Sequence, residues 1–572
     1  MARDYEKLNK EELLKEIKEL KSRKSYGLVW EDKSEDVVER CKKELPIINE
    51  VEKFQINKDK DLLDNFIIEG DNYHSLSVLN YTHKGKINGI YIDPPYNTGA
   101  KDWKYNNDYI DKEDSYRHTK WISFMKHRLA LAKELLALGG IICCTIDDHE
   151  LPRLLLLMEE IFGENNHLGT ICIRNNPSGR STVKGISITH EYAVFFSKSS
   201  NFNIGRLPRS EKQLARYNKK DSKGFYEEVN FRKGGGLKEE SPVMFYPVFI
   251  SNKNWRIPDM EWDEDNKEWL LKESPKKVEE ILYPIDDQGR EKRWKWSFKR
   301  ALEQSDDLFV RKIKGKKHLF HKNRMSKDTV LPNTWWDKNK YSATDHGTRL
   351  LKEMFGELKT FDYPKAVVAV KDCLRVLSPK KNALFLDFFA GSGTTGHAVI
   401  ELNKEDGGNR RFILCTNNEN KIAEEVTYPR VKKVIEGYAD EKGIPANLRY
   451  YKTDFVDIES INSIPDEKKI NLTYKAGRMI AVKEDTLDEI DKNDWWQIFT
   501  DNKNKKTAIY FKEDKLKLNK LVDKIKDSKE VVLYIFSWGK NEYKNEFSDY
   551  KNIRVEDIPE PIIEVYKEIN KA

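Results

Sequence analysis

Two stretches of this chain alternate short apolar runs of strand length with amphipathic runs of helix length. In the first stretch, from about residue 62, "NFIIEGD" and "INGIYID" have the composition of strands and "NYHSLSVLNY" that of a helix. The second stretch contains the helix "YPKAVVAVKDCLRVLS" and the strands "ALFLDFF" and "RRFILCT". Strands that alternate with helices form parallel sheets covered by helices on both faces. The pattern predicts an α/β chain with a doubly wound, mostly parallel sheet.

The segments outside this alternation set the predicted domain organisation. A chain of 572 residues exceeds what one hydrophobic core supports. The middle of the chain loses the alternation and is rich in aromatic residues, Lys and Pro, which predicts an inserted domain. The amino terminus has leucines and isoleucines at helical spacing, so we expect a helix over residues 8–24 that packs on its own protein or mediates self-association. The predicted divisions are a helical arm at 1–50, core halves at 51–200 and 346–445, the inserted domain at 201–345 and a small α/β region at 446–572.

The charge distribution points to a polyanionic partner. The whole chain has 102 Lys and Arg against 96 Asp and Glu, a net charge of +6. Residues 288–327 alone have 14 Lys and Arg against 4 Asp and Glu, a net charge of +10. A basic segment in a nearly balanced chain is typical of nucleic-acid binding.

Several classes of protein are excluded by what the sequence lacks. No apolar run approaches the 18 residues of a membrane span, and the amino terminus has no signal-peptide pattern, so we expect a cytoplasmic protein with no membrane contact. The six cysteines show no CxxC spacing, and no metal site is predicted. No Walker pair with helicase motifs is present, so we expect no nuclease activity in this chain.

A glycine-rich turn, "LFLDFFAGSGTTG", indicates a nucleoside cofactor. A strand ends at Asp387, and Gly391 and Gly393 allow the backbone of the following helix to approach a ligand closely. No lysine follows for a Walker phosphate loop, whereas the formal match to GxGxxG leaves a nicotinamide dinucleotide open. Glu419 follows the next strand, where a carboxylate can bind both hydroxyls of a ribose. The turn alone does not decide between NAD and S-adenosylmethionine.

The segment Asp93-Pro94-Pro95-Tyr96 decides between them, because it carries a resemblance to a known family. The sequence resembles the amino-methylating DNA methyltransferases, whose catalytic motif is (D/N/S)PP(Y/F) and whose cofactor motif is FxGxG. The catalytic motif precedes the cofactor turn, with the inserted domain between them, which is the order of the β class. "DPPYNTG", "DFFAGSGTT" and "GGNRRFIL" resemble the modification subunits of type III restriction–modification systems and related adenine-N6 methyltransferases.

The resemblance implies a fold, a cofactor and site residues. The fold is a circularly permuted, Rossmann-like methyltransferase sheet with an inserted target-recognition domain and a small C-terminal α/β region. The cofactor is S-adenosylmethionine, and Asp71 is expected near its adenine, with a helix N-cap as the alternative for Asp71-Asn72. Lys365 is expected near the cofactor's carboxylate, with a solvated lysine as the alternative. The predicted cofactor set is Asp387, Phe389, Ala390, Gly391, Ser392, Gly393, Thr394, Glu419, Asp71, Asn72 and Lys365.

The chemistry of amine methylation accounts for the residues of the catalytic motif. The Asp93 carboxylate and the Pro94 carbonyl can accept the two N–H groups of an adenine amine and aim its lone pair at the methyl group. Pro95 stiffens the turn, and Tyr96 is expected to stack on a base flipped out of the duplex.

Double-stranded DNA is the expected partner of the inserted domain. Aromatic residues are interleaved with its basic ones as candidate stacking or wedging groups, namely Trp294, Trp296, Phe298, Phe309 and Phe320. The predicted DNA-binding residues are Arg290, Lys292, Arg293, Lys295, Lys299, Arg300, Arg311, Lys312, Lys314, Lys316 and Lys317. The resemblance further implies a homodimer and a separate helicase–nuclease restriction subunit. Cytosine-N4 transfer, a catalytically idle DNA-binding subunit, a nicotinamide oxidoreductase and an RNA substrate stay open as alternatives.

Overall fold

The structure, a computed structural model, describes residues 35–98, 117–179, 185–325, 327–356, 364–501, 503–512, 514–538, 543 and 546–570. It divides into two compact units, one formed by Met1–Arg206 with Pro332–Ala572 and the other by Leu207–Leu331. The helix predicted over residues 8–24 lies outside the described residues. No helix in the described part of the chain is long and apolar enough to cross a membrane.

A ten-stranded mixed sheet is the centre of the first unit. Its strands are β1 (Glu44–Glu50), β2 (Asp64–Glu69), β3 (Ile87–Ile92), β4 (Leu136–Ile146), β5 (His167–Ile173), β6 (Glu191–Ser197), β7 (Trp335–Trp336), β8 (Leu384–Asp387), β9 (Arg411–Thr416) and β10 (Asn447–Asp457). Their order across the sheet is β1-β10-β2-β9-β8-β3-β4-β6-β5-β7. The central strands, from β10 to β4, run parallel, and β1 and β6 are antiparallel to their neighbours.

Helices cover this sheet and bury its central strands on both faces. Strands with helices on both faces become continuous apolar runs, as in β9, where Phe412, Ile413 and Leu414 are all at most 1% exposed. Where the structure describes the first unit, its helices are Asp36–Arg40, Asn72–Thr82, Arg117–Leu135, Leu151–Phe162, Arg349–Phe355, Val367–Leu377, Thr394–Asp406, Tyr428–Glu436, Asp466–Lys475, Gly477–Glu484, Lys515–Ile525 and Glu560–Ile569.

The four parallel strands β2, β9, β8 and β3 are neighbours, so their carboxyl ends meet at one edge of the sheet. Asp71, Glu419, Asp387 and Asp93 follow or end these strands in that order. Residues from both sequence halves are thereby brought to the same edge, which is where ligands bind in open parallel sheets.

The segments at the two ends of the core differ from the predicted divisions. Strand β1 lies within the predicted helical arm, and β10 lies beyond the predicted boundary at residue 446, yet the two strands pair with each other at the edge of the main sheet. Beyond them a five-stranded sheet is formed by Asp488–Lys492, Trp496–Thr500, Lys505–Tyr510, Glu530–Phe536 and Ile553–Ile558. Its residues Phe499 and Ile509 belong to the same buried apolar cluster as the main sheet, because the C-terminal helices are shared between the two sheets.

The unit Leu207–Leu331 consists of short antiparallel strands around a small aromatic core. It is narrower than the predicted 201–345. Its strands are Leu207–Pro208, Lys219–Asp221, Gly224–Asn230, Arg232–Leu237, Val248–Ile250, Trp255–Arg256, Met260–Asp263, Glu268–Leu271, Glu280–Leu282, Lys292–Trp294, Leu308–Ile313, Lys316–Arg324 and Thr329–Val330, with short helices at Glu211–Leu214 and Phe298–Glu303. Trp294, Trp296 and Phe320 are at most 9% exposed. The prediction that these three rings form stacking surfaces is therefore wrong, since Trp294 and Trp296 belong to the core of the unit and Phe320 is buried beside Phe309.

Candidate active site

The segment Asp93 to Tyr96 leaves the sheet at the carboxyl end of β3. A residue outside the segment holds its turn in place: the Trp121 indole N–H donates to the Pro95 carbonyl at 2.8 Å. Asn97, which has a positive φ of 55°, donates from its side-chain amide to the buried carboxylate of Glu150 at 2.5 Å. Two prolines and two such anchors hold the loop in one conformation.

The Asp93 carboxylate lies within a group of polar side chains. Its Oδ1 accepts hydrogen bonds from the Thr145 hydroxyl at 2.7 Å and the Tyr96 hydroxyl at 2.9 Å. The Lys365 ammonium is 3.0 Å from the same oxygen. The Asp93 side chain retains 27% exposure. A fixed, partly accessible carboxylate at this edge can accept a hydrogen bond from an N–H group of a substrate.

Lys365 lies beside the segment Asp93 to Tyr96, and its side chain is only 14% exposed, so it is not the solvated lysine of the alternative. Its ammonium donates to the Tyr96 hydroxyl at 2.6 Å and to Glu191 at 2.9 Å, and it contacts Asp93. That it lies near the carboxylate of a cofactor stays a prediction. Burial on its own would lower the pKa of Lys365, but the carboxylates of Asp93 and Glu191 raise it overall. The lysine therefore stays charged at neutral pH and places its positive charge beside the Asp93-to-Tyr96 segment.

Glu191 was not among the predicted site residues. It is the first residue of β6, and its 4% exposed carboxylate accepts from Lys365, from the Tyr96 hydroxyl at 3.1 Å and from the Asn175 amide at 2.8 Å. Burial and the carboxylates of Asp93 and Glu191 hold the pKa of the Tyr96 hydroxyl well above its usual range, so that the hydroxyl stays a donor. A charged residue at the start of the apolar strand "EYAVFFS" was the available sequence signal.

The glycine turn lies between β8 and the helix Thr394–Asp406. Gly391 and Gly393 have φ values of 47° and 76°, in the left-handed region that favours glycine. The Thr427 hydroxyl donates to the Gly391 carbonyl at 2.6 Å. The buried guanidinium of Arg430 donates to the hydroxyls of Ser392 at 3.0 Å and Thr394 at 2.7 Å. Arg430 was not among the predicted site residues, and its hydrogen bonds stabilise the turn.

Asp387 closes β8 with a buried carboxyl group. It accepts from the Phe389 backbone N–H at 2.9 Å and from the Thr395 hydroxyl at 2.5 Å. Burial, together with the charge of Asp93, raises the pKa of Asp387 from 3.8 to about 7. The group ionises near neutral pH in the folded chain, although it would be ionised well below that in the unfolded chain.

Asp387→Asn is expected to remove a pH dependence of stability. Between pH 3.8 and 7 the folded chain binds more protons at this site than the unfolded chain, so stability falls as pH rises through this window. The wild type should lose about 2 to 3 kcal/mol from this group between pH 5 and pH 8, and the variant should lose none of it. Urea unfolding without cofactor at both pH values measures this, and equal pH dependence of the two proteins would contradict it.

The remaining predicted cofactor residues lie at the same edge. Asp71 caps the helix Asn72–Thr82, with Oδ1 accepting from the Tyr73 N–H at 2.7 Å. Asn72 is buried and accepts from the Arg128 Nε at 2.5 Å. Glu419 begins a short 3-10 helix, Glu419–Lys421, after β9. Phe389 and Ala390 are buried within the turn.

Among the described residues no group of three or more His, Cys, Asp and Glu could hold a metal ion.

The predicted DNA-binding residues all lie in the unit Leu207–Leu331 but differ in exposure. Ion pairs join five of them to acidic residues: Arg290 and Lys292 to Asp286, Arg293 to Glu240, Arg311 to Glu228 and Lys317 to Glu280. Lys292 is buried, Lys295 is 3.3 Å from the His321 ring and Arg300 lies over Trp296. Lys299, Lys312, Lys314 and Lys316 are exposed, and the last three lie on one hairpin. The unit still has 29 Lys and Arg against 22 Asp and Glu, a net charge of +7.

Comparison with known proteins gives the family. A family model described as DNA methylase matches residues 87–427, more than half of the chain. The chain belongs to the DNA methylase family. It is 35% identical over 363 residues to the type II methyltransferase M.KpnI of Klebsiella pneumoniae, covering 63% of this chain and 82% of that relative.

Two further relatives of this DNA methylase are modification subunits. The EcoPI Mod subunit of the type III restriction–modification enzyme of Escherichia phage P1 is 31% identical over 433 residues, covering 70% of this chain and 64% of that subunit. The StyLTI Mod subunit of Salmonella typhimurium is 27% identical over 459 residues, covering 75% and 62%. The chain thus spans slightly less than two thirds of each subunit.

The cofactor of this DNA methylase is S-adenosylmethionine, and the residues present fit it. A side chain at Gly393 would be crowded, since a Cβ there would be 3.2 Å from the Thr427 carbonyl oxygen. A glycine turn that opens a helix can place its backbone N–H groups against a ligand at the edge between β8 and β9. Glu419 and Asp71, after β9 and β2, offer acceptors for ribose hydroxyls and for an adenine amine.

Proposed function

We propose that this DNA methylase methylates the N6 amine of adenine in duplex DNA as the modification component of a restriction–modification system. The observation that carries the proposal is the Asp93 carboxylate, held by Thr145, Tyr96 and Lys365 beside the glycine turn of β8. An acid before Pro-Pro favours adenine, whereas cytosine-N4 transfer, the second candidate, more often has serine there.

The residues of the catalytic segment act on the amine. S-adenosylmethionine supplies an electrophilic methyl group on a sulfonium. Asp93 and the Pro94 carbonyl accept the two N–H groups, so the nitrogen's lone pair is directed away from the ring. Tyr96, half-buried in this structure, stacks on the base once it has been flipped out of the duplex. Asp93 takes up the proton released as the nitrogen becomes cationic.

The order of the sheet supports a circularly permuted methyltransferase core. The cofactor strands β8 and β9 come late in the chain, and β2 and β3, which border them on either side, come early. The unit Leu207–Leu331, placed between these halves in sequence and carrying the excess positive charge, is the target-recognition domain in this proposal. A homodimer and a separate helicase–nuclease subunit stay predictions, which sedimentation and co-purification would test.

Replacing Lys312, Lys314 and Lys316 together with alanine is expected to weaken DNA binding by roughly 10- to 100-fold near 0.1 M salt. These exposed lysines lie on the hairpin of Leu308–Ile313 and Lys316–Arg324. The slope of log K against log salt should become shallower by about 2 to 3, because each lost phosphate contact releases about one fewer counterion. Fluorescence anisotropy with a DNA duplex measures both quantities.

The matched control replaces two lysines of the same unit that form ion pairs with acidic residues. Lys219 pairs with Glu228 at 2.6 Å and Lys223 pairs with Asp306 at 3.0 Å. Alanine at both positions should change DNA affinity less than threefold, an estimate that follows from the small contribution of exposed paired charges. If the control variant weakened DNA binding as much as the hairpin variant, the prediction that the hairpin lysines contact DNA would be wrong.

Long-read detection of modified bases in DNA from cells expressing the protein tests the function itself. The expected result is N6-methyladenine at one recurring sequence. Mass analysis of nucleosides from the same DNA separates the two candidate activities. N4-methylcytosine without N6-methyladenine would overturn the adenine assignment, and unmodified DNA would overturn the proposal as a whole.

A further inference from the structure

The starting point is a buried carboxylate that the proposed chemistry does not use. Glu191 is buried beside the segment Asp93 to Tyr96, on the strand next to the one that carries Thr145. One of its oxygens, Oε2, accepts from the Tyr96 hydroxyl, the Lys365 ammonium and the Asn175 amide. Burying a carboxylate costs free energy unless it is paired with a cation and hydrogen-bonded, and these three donors meet both conditions for Glu191.

The charges around Asp93 explain what such a carboxylate can do. The Lys365 ammonium is 3.0 Å from Asp93 and 2.9 Å from Glu191, so one cation is shared by two carboxylates and the group carries a net charge of −1. Without Glu191 the lysine would pair with Asp93 alone, and the group would be neutral. The lysine would also be free to move onto the Asp93 oxygens that a substrate amine must reach.

The reaction develops positive charge on the nitrogen that Asp93 binds. As the N–CH₃ bond forms and the C–S bond breaks, the sulfonium becomes a neutral thioether and the amine nitrogen becomes cationic until a proton leaves it. A fixed negative charge nearby stabilises that cation, and inside a site that excludes water such a charge has a large effect. A neutral pair of Asp93 and Lys365 would provide much less of it.

We propose that Glu191 is a positioning residue for methyl transfer, which holds Lys365 and Tyr96 and preserves a net negative charge around Asp93. This rests on the proposed function, since it requires that Asp93 binds the reacting amine. The effect falls on the chemical step, because Glu191 acts through its neighbours and no part of its role requires contact with cofactor or DNA.

Glu191→Gln is expected to slow single-turnover methyl transfer by roughly 10²-fold. The KM for S-adenosylmethionine and the affinity for DNA should stay within about threefold of the wild type, as expected when an interaction made in the transition state is lost. Transfer of a tritiated methyl group to duplex DNA in a single turnover measures the rate. A rate equal to that of the wild type would overturn the inference.

The double variant Glu191→Gln with Lys365→Met separates charge from packing. It leaves Asp93 as the charged member of the group and so restores a net charge of −1. We expect it to transfer methyl groups at least about tenfold faster than Glu191→Gln alone, a coupling that a double-mutant cycle reports directly. If Glu191 only maintained the local structure, removing a second partner would slow the enzyme further, and that result would overturn the inference.

A second buried glutamate provides the control for folding. Glu484 is 7% exposed in the C-terminal region, and it accepts from the Tyr534 hydroxyl at 2.8 Å and from Arg554 at 3.0 Å. Glu484→Gln should lower the melting temperature without slowing methyl transfer. If it slowed transfer as Glu191→Gln does, the effect of Glu191 would be general destabilisation and the inference would fall.

Failure of the proposed function would be visible separately. The tritium assay counts methyl groups on any base. If the wild-type product contained N4-methylcytosine, the proposed target base would be wrong, but the transfer rates of the variants would still test the role of Glu191. Full activity of Asp93→Ala would instead overturn both the function and the role of Glu191.

Discussion

Asp93→Ala is expected to reduce methyl transfer at least ~10³-fold while leaving the binding of cofactor and DNA nearly unchanged. The variant removes the carboxylate that receives hydrogen bonds from Thr145 and Tyr96 and that lies beside Lys365. It also leaves Lys365 with one carboxylate fewer, so the positive charge it brings near the reacting nitrogen is less well balanced. Single-turnover tritium transfer measures the rate, and anisotropy measures DNA affinity.

Two further variants make this result specific to Asp93. Asp93→Asn keeps the size of the side chain but can neither carry the charge nor take up a proton, and we expect a loss of similar size. Asp147 follows the neighbouring strand β4, and its side chain is 17% exposed and hydrogen-bonded to His149. Asp147→Ala should stay within about threefold of the wild type, as is usual for a substitution outside the reacting groups. A rate above a tenth of the wild type for Asp93→Ala would show that the amine is activated elsewhere.

Gly393→Val is expected to weaken S-adenosylmethionine binding at least ~100-fold. The residue has a φ of 76°, where a β-branched side chain is strained, and an added Cβ would lie 3.2 Å from the Thr427 carbonyl oxygen. The turn would have to move away from Thr427, and the backbone that approaches the cofactor would move with it. Cofactor at 100 times its Kd adds about 2.7 kcal/mol of stability to a protein that binds it. In the variant the same cofactor concentration should add about 0.4 kcal/mol or less, so most of the rise in melting temperature should be lost.

Gly407→Val separates backbone strain from the loss of the cofactor site. Gly407 has a φ of 65° at the other end of the same helix, and a Cβ there would meet nothing within 4 Å. This variant should lower the melting temperature by itself but keep the full rise on adding S-adenosylmethionine. A cofactor-induced rise that survived in Gly393→Val would mean that the glycine turn does not form the cofactor site.

The sequence predicted most of the core elements because their signals are local. Strands β2, β3, β8 and β9 are apolar runs that end in turns, and period and composition are enough to find such runs. The helix after the catalytic loop shows the limit of this approach. The segment "WISFMKHRLALAKELLALGG" has an amphipathic helical pattern that predicts a helix up to its two glycines, but the helix ends at Leu135, since Leu136 already pairs with Ile87 in the sheet. Pairing with a distant strand overrode the local helical pattern.

The aromatic residues of the basic segment show a second limit. Composition cannot tell a ring that faces a ligand from one that fills a core, and Trp294 and Trp296 pack around Phe231 in the interior of their unit. Likewise the count of positive charges did not reveal that Arg311 and Lys317 are matched by acids from other strands. Both facts depend on which strands become neighbours.

By itself, the sequence determined the alternating α/β pattern, the two motifs and their order, because each is a property of a few consecutive residues. Only the tertiary structure decided that Lys365 and Glu191 form hydrogen bonds with the Asp93-to-Tyr96 segment and that Arg430 does so with the glycine turn. Their hydrogen bonds to residues of the two motifs span 36 to 269 positions of the chain. Their contacts exist because parallel strands bring distant segments to one edge of the sheet, and no spacing in the sequence encodes that neighbourhood.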